Sequence, residues 1–487
     1  MNYLELLQLA SPETIVVVTA LVVLALGLTK SPIVSLVAAL GLAVATVAVL
    51  KLPPRADLFH GMLVISPLNS LFKIICLVLA FFTVILARQD RRARHQGEYL
   101  ALILLATVGL LLLVGSEELL MIFIGLELTG LSLYVLTAFD RSDLRSAEAG
   151  LKYFLFGSMA SAFTLFGLSL IYGLTRTTAL GAIAQALAAP PIQPLLAAGI
   201  VMTLIGFAFK VAAAPFHLWA PDAYQGAPVP TAAFIASGSK VASFVVLGKI
   251  LLVAFGPLRG SADWHALVAG WSPIIAVLAA LSILIGNLVA LAQRNVRRLL
   301  AYSAVAHGGY TLLGLVAGGR NGFSATLFYT TIYAITLVGA FGVVALVRRE
   351  TGGDDFSNFA GLRGRSPVLA GCMAIFMLSL AGLPPLAGFF GKFYLFSVAL
   401  RSGEHHGLLW LVALALFGSL ISLYYYLMVL KVIFLDANTG AIPQARYDFE
   451  ARADFLPGMT VAVLAGAVLL LGIMPEALVA RILASLT

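Results

Sequence analysis

The chain has 487 residues, 61% of them apolar and 11% charged, with a mean hydropathy of +1.03. That balance excludes a soluble globular protein, and continuous apolar runs of roughly 20 residues fit spanning helices rather than the short alternating strands of a β-barrel. The net charge of +8 is not a nucleic-acid footprint, because excess Lys and Arg in such a protein belong to loops on the inner side of the membrane. Fourteen spans are predicted: 13–29, 32–50, 69–87, 99–115, 117–138, 147–174, 194–219, 228–255, 264–292, 298–317, 323–347, 366–399, 408–434 and 456–480. The start, MNYLELLQLASPET, has two Glu and no Lys or Arg, so no cleavable signal peptide is expected. The two cysteines, Cys76 and Cys372, fall in apolar runs and read as small core residues. No motif for a metal, a nucleotide or a redox group stands in a supporting context.

Sorting the 30 Lys and Arg tests the topology. With the N-terminus outside, the inner loops hold Lys30, Arg88, Arg91, Arg92, Arg94, Arg141, Arg145, Arg294, Arg297, Arg298, Arg348, Arg349, Arg363, Arg365, Lys431, Arg446 and Arg452. The outer segments hold only Lys51, Arg55, Arg176, Arg259, Arg320, Arg401 and Arg481. This bias of 17 to 7 favours fourteen crossings with both termini on the outer side.

The remaining six cations are lysines inside spans: Lys73, Lys152, Lys210, Lys240, Lys249 and Lys392. One carboxylate, Glu127, lies mid-span. Each charge at the bilayer centre costs roughly 2.5–3.5 kcal/mol on insertion scales, so these groups must face the bundle interior, water or one another. A buried lysine beside a carboxylate gains and loses a proton near neutral pH, which is the chemistry of a proton relay. Lys73 sits near the outer end of its span and reads as snorkelling. Lys152 follows Glu148 by four residues, the spacing of an ordinary helix pair. Lys240 and Lys249 are nine residues apart and point to opposite faces; Lys240 is the more central, and Lys249 is expected to snorkel outward.

Two spans contain helix breakers. "FAFKVAAAPFHLWAPDAYQGAPVP" places Lys210 five residues before Pro215, and "LSLAGLPPLAGFFGKFYLF" places Lys392 seven residues after Pro385, which follows Pro384. Broken spans in corresponding positions of two halves point to an inverted-repeat transporter. As the seventh and twelfth spans, they suggest two five-helix repeats, spans 4–8 and 9–13. The expected organisation is a three-helix segment over 1–97, repeats over 98–256 and 257–436, and a last helix within 437–487.

Four stretches carry a resemblance: "SAEAGLKYFLFGSMASAF" (146–163), "FKVAAAPFHLWAPDAYQGAPVPTAAF" (209–234), "NVRRLLAYSAVAHGGY" (295–310) and "LSLAGLPPLAGFFGKFYLF" (378–396). In this order they resemble the antiporter-like membrane subunits of respiratory complex I, the proton-pumping NADH:quinone oxidoreductase. "PDAYQGAP" with "SGSK" makes the likeness N-type; the L-type has a long lateral helix, and the M-type has glutamate where Lys392 stands. The resemblance implies that Glu127 modulates Lys210 as an ion pair. It makes Lys240 the central relay and Lys392 the lysine near the exit, and it places Lys152 and His307 on the same hydrated path. His217 beside Trp219 reads as a loop organiser, and Tyr310 and Tyr424–Tyr426 as aromatic packing. The resemblance further implies no cofactor on this chain, with FMN, iron–sulfur clusters, NADH and quinone in other subunits. Its partners would be neighbouring antiporter-like and small membrane subunits, the lateral helix of the L-type subunit and the lipid of a bacterial inner membrane, with no nucleic acid. The alternatives are a subunit of a cation/proton antiporter, which uses the same lysines and broken helices, and a scaffold that moves no protons. A scaffold has no reason to keep so many charges inside the bilayer.

Overall fold

The structure, a computed structural model, describes residues 3–29, 31–58, 61–88, 95–188, 193–402, 406–436 and 455–486. Lys30, Arg91, Arg92, Arg94, Arg446 and Arg452 of the charge count lie outside these residues, as does the start of the predicted 437–487 segment. Fifteen helices of 15 or more residues are described: α1 (Ser11–Leu28), α2 (Val34–Leu50), α3 (Pro67–Ala87), α4 (Gln96–Gly115), α5 (Leu119–Thr137), α6 (Leu144–Thr175), α7 (Pro194–Lys210), α8 (Val229–Ala254), α9 (Trp271–Leu291), α10 (Val296–Ala317), α11 (Gly319–Thr351), α12 (Pro367–Ala381), α13 (Ala387–Arg401), α14 (Leu409–Phe434) and α15 (Phe455–Ile473). Every predicted span has its helix, and the twelfth is the broken pair α12 and α13. Eleven of the helices are long and apolar enough to cross a membrane; α2, α7 and α12 are shorter apolar helices. Two short antiparallel pairs, Ala56–Leu58 with Leu63–Ile65 and Ser261–Ala262 with Leu267–Val268, are the strands among the described residues.

Local chemistry sets the helix starts. Asn295 accepts hydrogen bonds from the Arg297 and Arg298 amides to open α10, and Glu118 accepts from Met121 to open α5. Ser66 and Ser366 cap α3 and α12, each followed by a proline that fits the first turn, where no amide is needed. The ninth span starts at Trp271 rather than 264 because residues 261–268 form the second strand pair. The last begins as predicted but ends at Ile473, and a separate helix, Glu476–Ser485, follows.

Polarity is turned outside in. Leu21, Leu40, Leu131, Phe166, Leu288, Phe417 and Leu470 are each more than half exposed, whereas five of the six span lysines are buried. A soluble protein does not present so continuous an apolar exterior; a bilayer supplies the missing contacts. Contacts between loops respect the predicted faces. On one, Arg297 and Arg348 meet Asp354, Arg298 and Lys152 meet Asp222, and Arg365 meets Glu350. On the other, Leu119 bonds Thr178, Arg259 bonds Val316 and Ala317, and Trp264 bonds Gly407. Below, the first is called the arginine-rich face.

Candidate functional site

Both predicted breaks are present. α7 stops at Lys210; Ala212 takes the left-handed conformation with φ +56°. The Ala214 amide is satisfied by the Ser282 hydroxyl at 2.8 Å, and the chain resumes as the short helix Trp219–Gly226 after Pro215. The Trp219 indole donates to the Phe209 carbonyl at 3.1 Å and stacks on Tyr153 at 4.2 Å, tying the two sides together. α12 stops at Ala381, where Gly382 takes φ +88°, a conformation that glycine adopts without a Cβ clash. Pro384 and Pro385 follow, and α13 begins at Ala387. Lys392 reaches back from α13 to the last carbonyl of α12: its Nζ donates to Ala381 O at 3.1 Å and to Ser419 Oγ at 2.9 Å. In both breaks side chains meet polar groups of the interrupted backbone, as such backbone requires at membrane depth, while Pro215, Pro384 and Pro385 themselves are exposed.

Lys240 opens the α-helical middle of α8, which is flanked by the π-helical turns Ile235–Ser239 and Ile250–Ala254. Single π turns inside α-helices mark functional sites often enough to be worth noting. The Lys240 Nζ donates to the Ala304 carbonyl at 2.7 Å, one turn before His307 on α10. His307 is fully bonded: Nδ1 meets the Tyr329 hydroxyl at 2.7 Å and Nε2 the Tyr426 hydroxyl at 3.1 Å. Two tyrosine rings then bridge the histidine to the lysines. Tyr333 stacks on the imidazole at 4.8 Å and lies under the Lys240 Nζ at 5.8 Å. Tyr310 packs edge-on to it at 5.5 Å and lies under the Lys392 Nζ at 5.3 Å. Lys240, His307 and Lys392 thus form one buried polar axis from α8, the last helix of the first predicted repeat, into α10 and α13 of the second.

Glu127 and Lys210 line a common small cavity, but the expected ion pair is not formed. Lys210 donates to the Leu126 carbonyl at 3.3 Å, while Glu127 accepts from Ser161 at 2.5 Å. The Ser161 hydroxyl satisfies the carboxylate from α6, so Lys210 is free to take the nearer backbone acceptor.

Three lysines depart from their predicted surroundings. Lys73 does not snorkel: it is 1% exposed and bridges Glu13 of α1 at 2.6 Å. Lys249, expected to reach outward, is 4% exposed and donates to Asn69 Oδ1 at 2.6 Å and to the Val114 carbonyl at 2.8 Å. Packing of α3 and α4 against α8 closes the route outward and supplies these acceptors instead. Lys152 does pair with Glu148, at 2.6 Å, but also with Asp222 at 2.8 Å. Asp222 in turn holds Arg298 at 2.8 Å, so a ladder of charges runs along the arginine-rich face from α6 to the start of α10.

Burial lifts the pKa of Asp222, but the hydrogen bonds from Lys152 and Arg298 outweigh it and hold the carboxyl below its ordinary value of 3.8. A group with a lowered folded pKa stabilises the fold above its unfolded value and loses that contribution only as the pH falls through the lowered one. Asp222→Asn is therefore expected to lower the thermal midpoint of the isolated complex at pH 7, with the difference undiminished through mildly acidic pH. An unchanged midpoint would show that the ladder contributes nothing.

Tyr329, Tyr333, Asn287, Ser303, Ser161 and Ser419 were not singled out in the sequence. Each is a neutral polar residue in an apolar helix, and only tertiary contact shows what it bonds. His217 packs edge-on to Tyr302 at 6.3 Å within the loop after Pro215, consistent with loop organisation. Tyr310, Tyr425 and Tyr426, read as packing, carry hydrogen bonds to Asn287, Asn287 and Ser303 respectively.

A polytopic helical bundle with two broken spans and a buried lysine–histidine–lysine axis defines the class of ion-translocating membrane proteins. The chain belongs to the NADH:quinone oxidoreductase/Mrp antiporter membrane family, whose model matches residues 116–422. It is 44% identical to NADH-quinone oxidoreductase subunit N 2 of Acidobacterium capsulatum, over 98% of both chains. Against NADH-quinone oxidoreductase subunit N of Moorella thermoacetica the identity is 39%, over 97% of this chain and 96% of that one. A chain of respiratory complex I from Thermus thermophilus, solved with bound aureothin, superposes with a TM-score of 0.78 at 32% identity, covering 96% of this chain and 98% of that chain. The Mrp complex from Dietzia sp. DQ12-45-1b shares the fold, with a TM-score of 0.82 at 22% identity over 100% of this chain and 97% of that one. The family and the N-type likeness read from the four motifs are thus the ones found.

Proposed function

We propose that the chain is the N-type membrane subunit of a proton-pumping NADH:quinone oxidoreductase, multi-pass in a bacterial inner membrane with both termini outside. It carries protons without redox chemistry of its own. The axis Lys240–Tyr333–His307–Tyr310–Lys392 carries this reading, because it strings titratable groups through apolar surroundings where charge is costly. Protons enter beside Glu127 and Lys210, pass Lys240 and His307 through water admitted at the two breaks, and leave near Lys392. The spacing of the breaks supports inverted five-helix repeats over spans 4–8 and 9–13. Quinone reduction in other subunits drives the cycle through the Glu127–Lys210 pair, whose present separation is one of its two states: a hydroxyl and a carbonyl hold the partners apart, and a small shift lets them meet. Lys152 joins this path from the arginine-rich face through Asp222. The family also contains antiporter members, but the curated relatives over the full length favour the oxidoreductase.

The test uses the assembled complex in sealed vesicles. Lys240→Met keeps the side chain's length and removes its proton, so NADH-driven acidification of the outer compartment is expected to fall roughly 100-fold, the scale on which a positioned acid–base group acts. Unimpaired pumping would end the assignment of Lys240 as the central relay.

A further inference from the structure

On the arginine-rich face, between α9, the start of α10 and α14, lies an open cleft of about 780 Å³. Gln293, Arg294, Asp355 and Ser357 line its mouth, and Tyr425 lies at its wall. Tyr425 is 2% exposed and is the point where the cleft meets the interior. Its hydroxyl donates to Asn287 Oδ1 at 3.0 Å, and its ring packs 4.5 Å from that of Tyr426. Tyr426 in turn bonds His307 Nε2 at 3.1 Å and Ser303 Oγ at 2.5 Å. An opening on the surface, with polar side chains among its lining, is thus joined to the central histidine through two neighbouring phenols, by a route that touches neither Lys210 nor Lys240.

We infer that this cleft is a second proton inlet, and that Tyr425 and Tyr426 pass protons from its water to His307. The inference rests on the proposed relay and adds an entry to it. In the tautomer with Nδ1–H donating to Tyr329, His307 Nε2 is an acceptor facing Tyr426. A hydronium in the cleft's water gives a proton to the Tyr425 oxygen as Tyr425 turns its own proton from Asn287 to Tyr426, and Tyr426 gives its proton to Nε2. One O–H bond breaks at the hydronium, which is left as water, one N–H bond forms at His307, which becomes an imidazolium, and each phenol ends neutral. The hop needs no tyrosinate. Asn287 is a positioning residue here: its Nδ2 holds the Tyr310 hydroxyl at 3.0 Å while its Oδ1 holds Tyr425. An inlet in the second half lets His307 be reloaded while the first half is closed by its own charges.

The experiment uses the assembled complex in sealed vesicles with NADH as donor. Tyr425→Phe and Tyr426→Phe are each expected to lower acidification at least roughly tenfold, a modest share of what a proton-transfer group contributes, with assembly unchanged and fewer protons moved per NADH. A second arm labels the mouth: Ser357→Cys alone pumps normally, and a bulky thiol reagent applied from the arginine-rich face then lowers pumping. The two natural cysteines of this chain are buried and free, and the parent complex treated with the same reagent corrects for labelling of other subunits. If either phenylalanine variant fails to assemble, the labelling arm decides. Normal pumping in both arms, with Lys240→Met still inactive, overturns the second inlet and leaves the relay standing. Normal pumping in Lys240→Met removes the relay itself.

Discussion

Lys392→Met in the assembled complex is expected to abolish NADH-driven pumping, with acidification down by roughly 100-fold or more, and to slow quinone reduction with it. Lys392 is the lysine at the second helix break, held by the Ala381 carbonyl and the Ser419 hydroxyl over the face of Tyr310. Methionine matches its length and removes both the charge and the exchangeable proton. The Ala381 carbonyl left without its partner costs about 1–3 kcal/mol, and relief of the buried charge offsets part of that, so the fold is expected to survive. Lys392→Arg separates charge from proton transfer. A guanidinium keeps the charge but does not release its proton, so this variant is expected to assemble and to be as inactive as the methionine. The measurement is the initial rate of vesicle acidification beside the rate of quinone reduction. If Lys392→Met leaves both intact, Lys392 is not on the path; if Lys392→Arg pumps normally, a fixed charge is what the site needs.

The two breaks were legible in the sequence because prolines and glycines inside apolar runs act locally, through a missing amide and permitted φ angles. Lys240 and Lys392 were legible because a charge in an apolar helix is costly wherever the helix packs. What each lysine faces was not legible. Lys73 and Lys249 lie near span ends, where snorkelling and burial cost similar amounts on sequence grounds alone. Glu13 from α1 and Asn69 from α3 decide the matter, 60 and 180 residues away along the chain. The hydroxyl ring around His307 was hidden for another reason. Tyrosine is common in membrane helices as packing, and only the meeting of α10, α11 and α14 makes Tyr329 and Tyr426 partners of one imidazole. Neighbouring arginines of that face also differ: Arg297 is 1% exposed and Arg298 lies partly in solvent. Counting cations assigns a face; it does not reveal which of them the fold depends on.

Arg297 leads to the largest expected effect on stability. Asp354 receives Arg297 Nε at 3.0 Å and Arg348 Nη1 at 2.7 Å on one carboxylate oxygen, and Asn295 Nδ2 at 3.1 Å on the other. Its backbone carbonyl takes the first amide of α10 at 2.9 Å, and Arg297 continues to the Ala227 carbonyl at 2.9 Å just before α8. One carboxylate therefore pins the start of α10, the end of α11 and the loop ahead of the Lys240 helix. Asp354→Asn leaves two guanidinium groups, one of them buried, without the carboxylate they share. Removing one partner of such a pair costs roughly 3–5 kcal/mol, a large part of the 5–15 kcal/mol typical of a whole domain. The variant is expected to accumulate little assembled complex, and what assembles should unfold at a lower temperature. Asp355→Asn is the control: this neighbouring carboxylate is exposed and holds Asn295 at 2.8 Å without an arginine, so its change should stay within about 0.5 kcal/mol. Asp354→Asn matching the parent in yield and thermal midpoint would mean that the two arginines are held by solvent and backbone rather than by this carboxylate. If instead only Asp354→Asn fails, the arginine-rich face is a clamp that sets the register of α8 against α10, and thereby the 2.7 Å reach of Lys240 to the turn that carries His307.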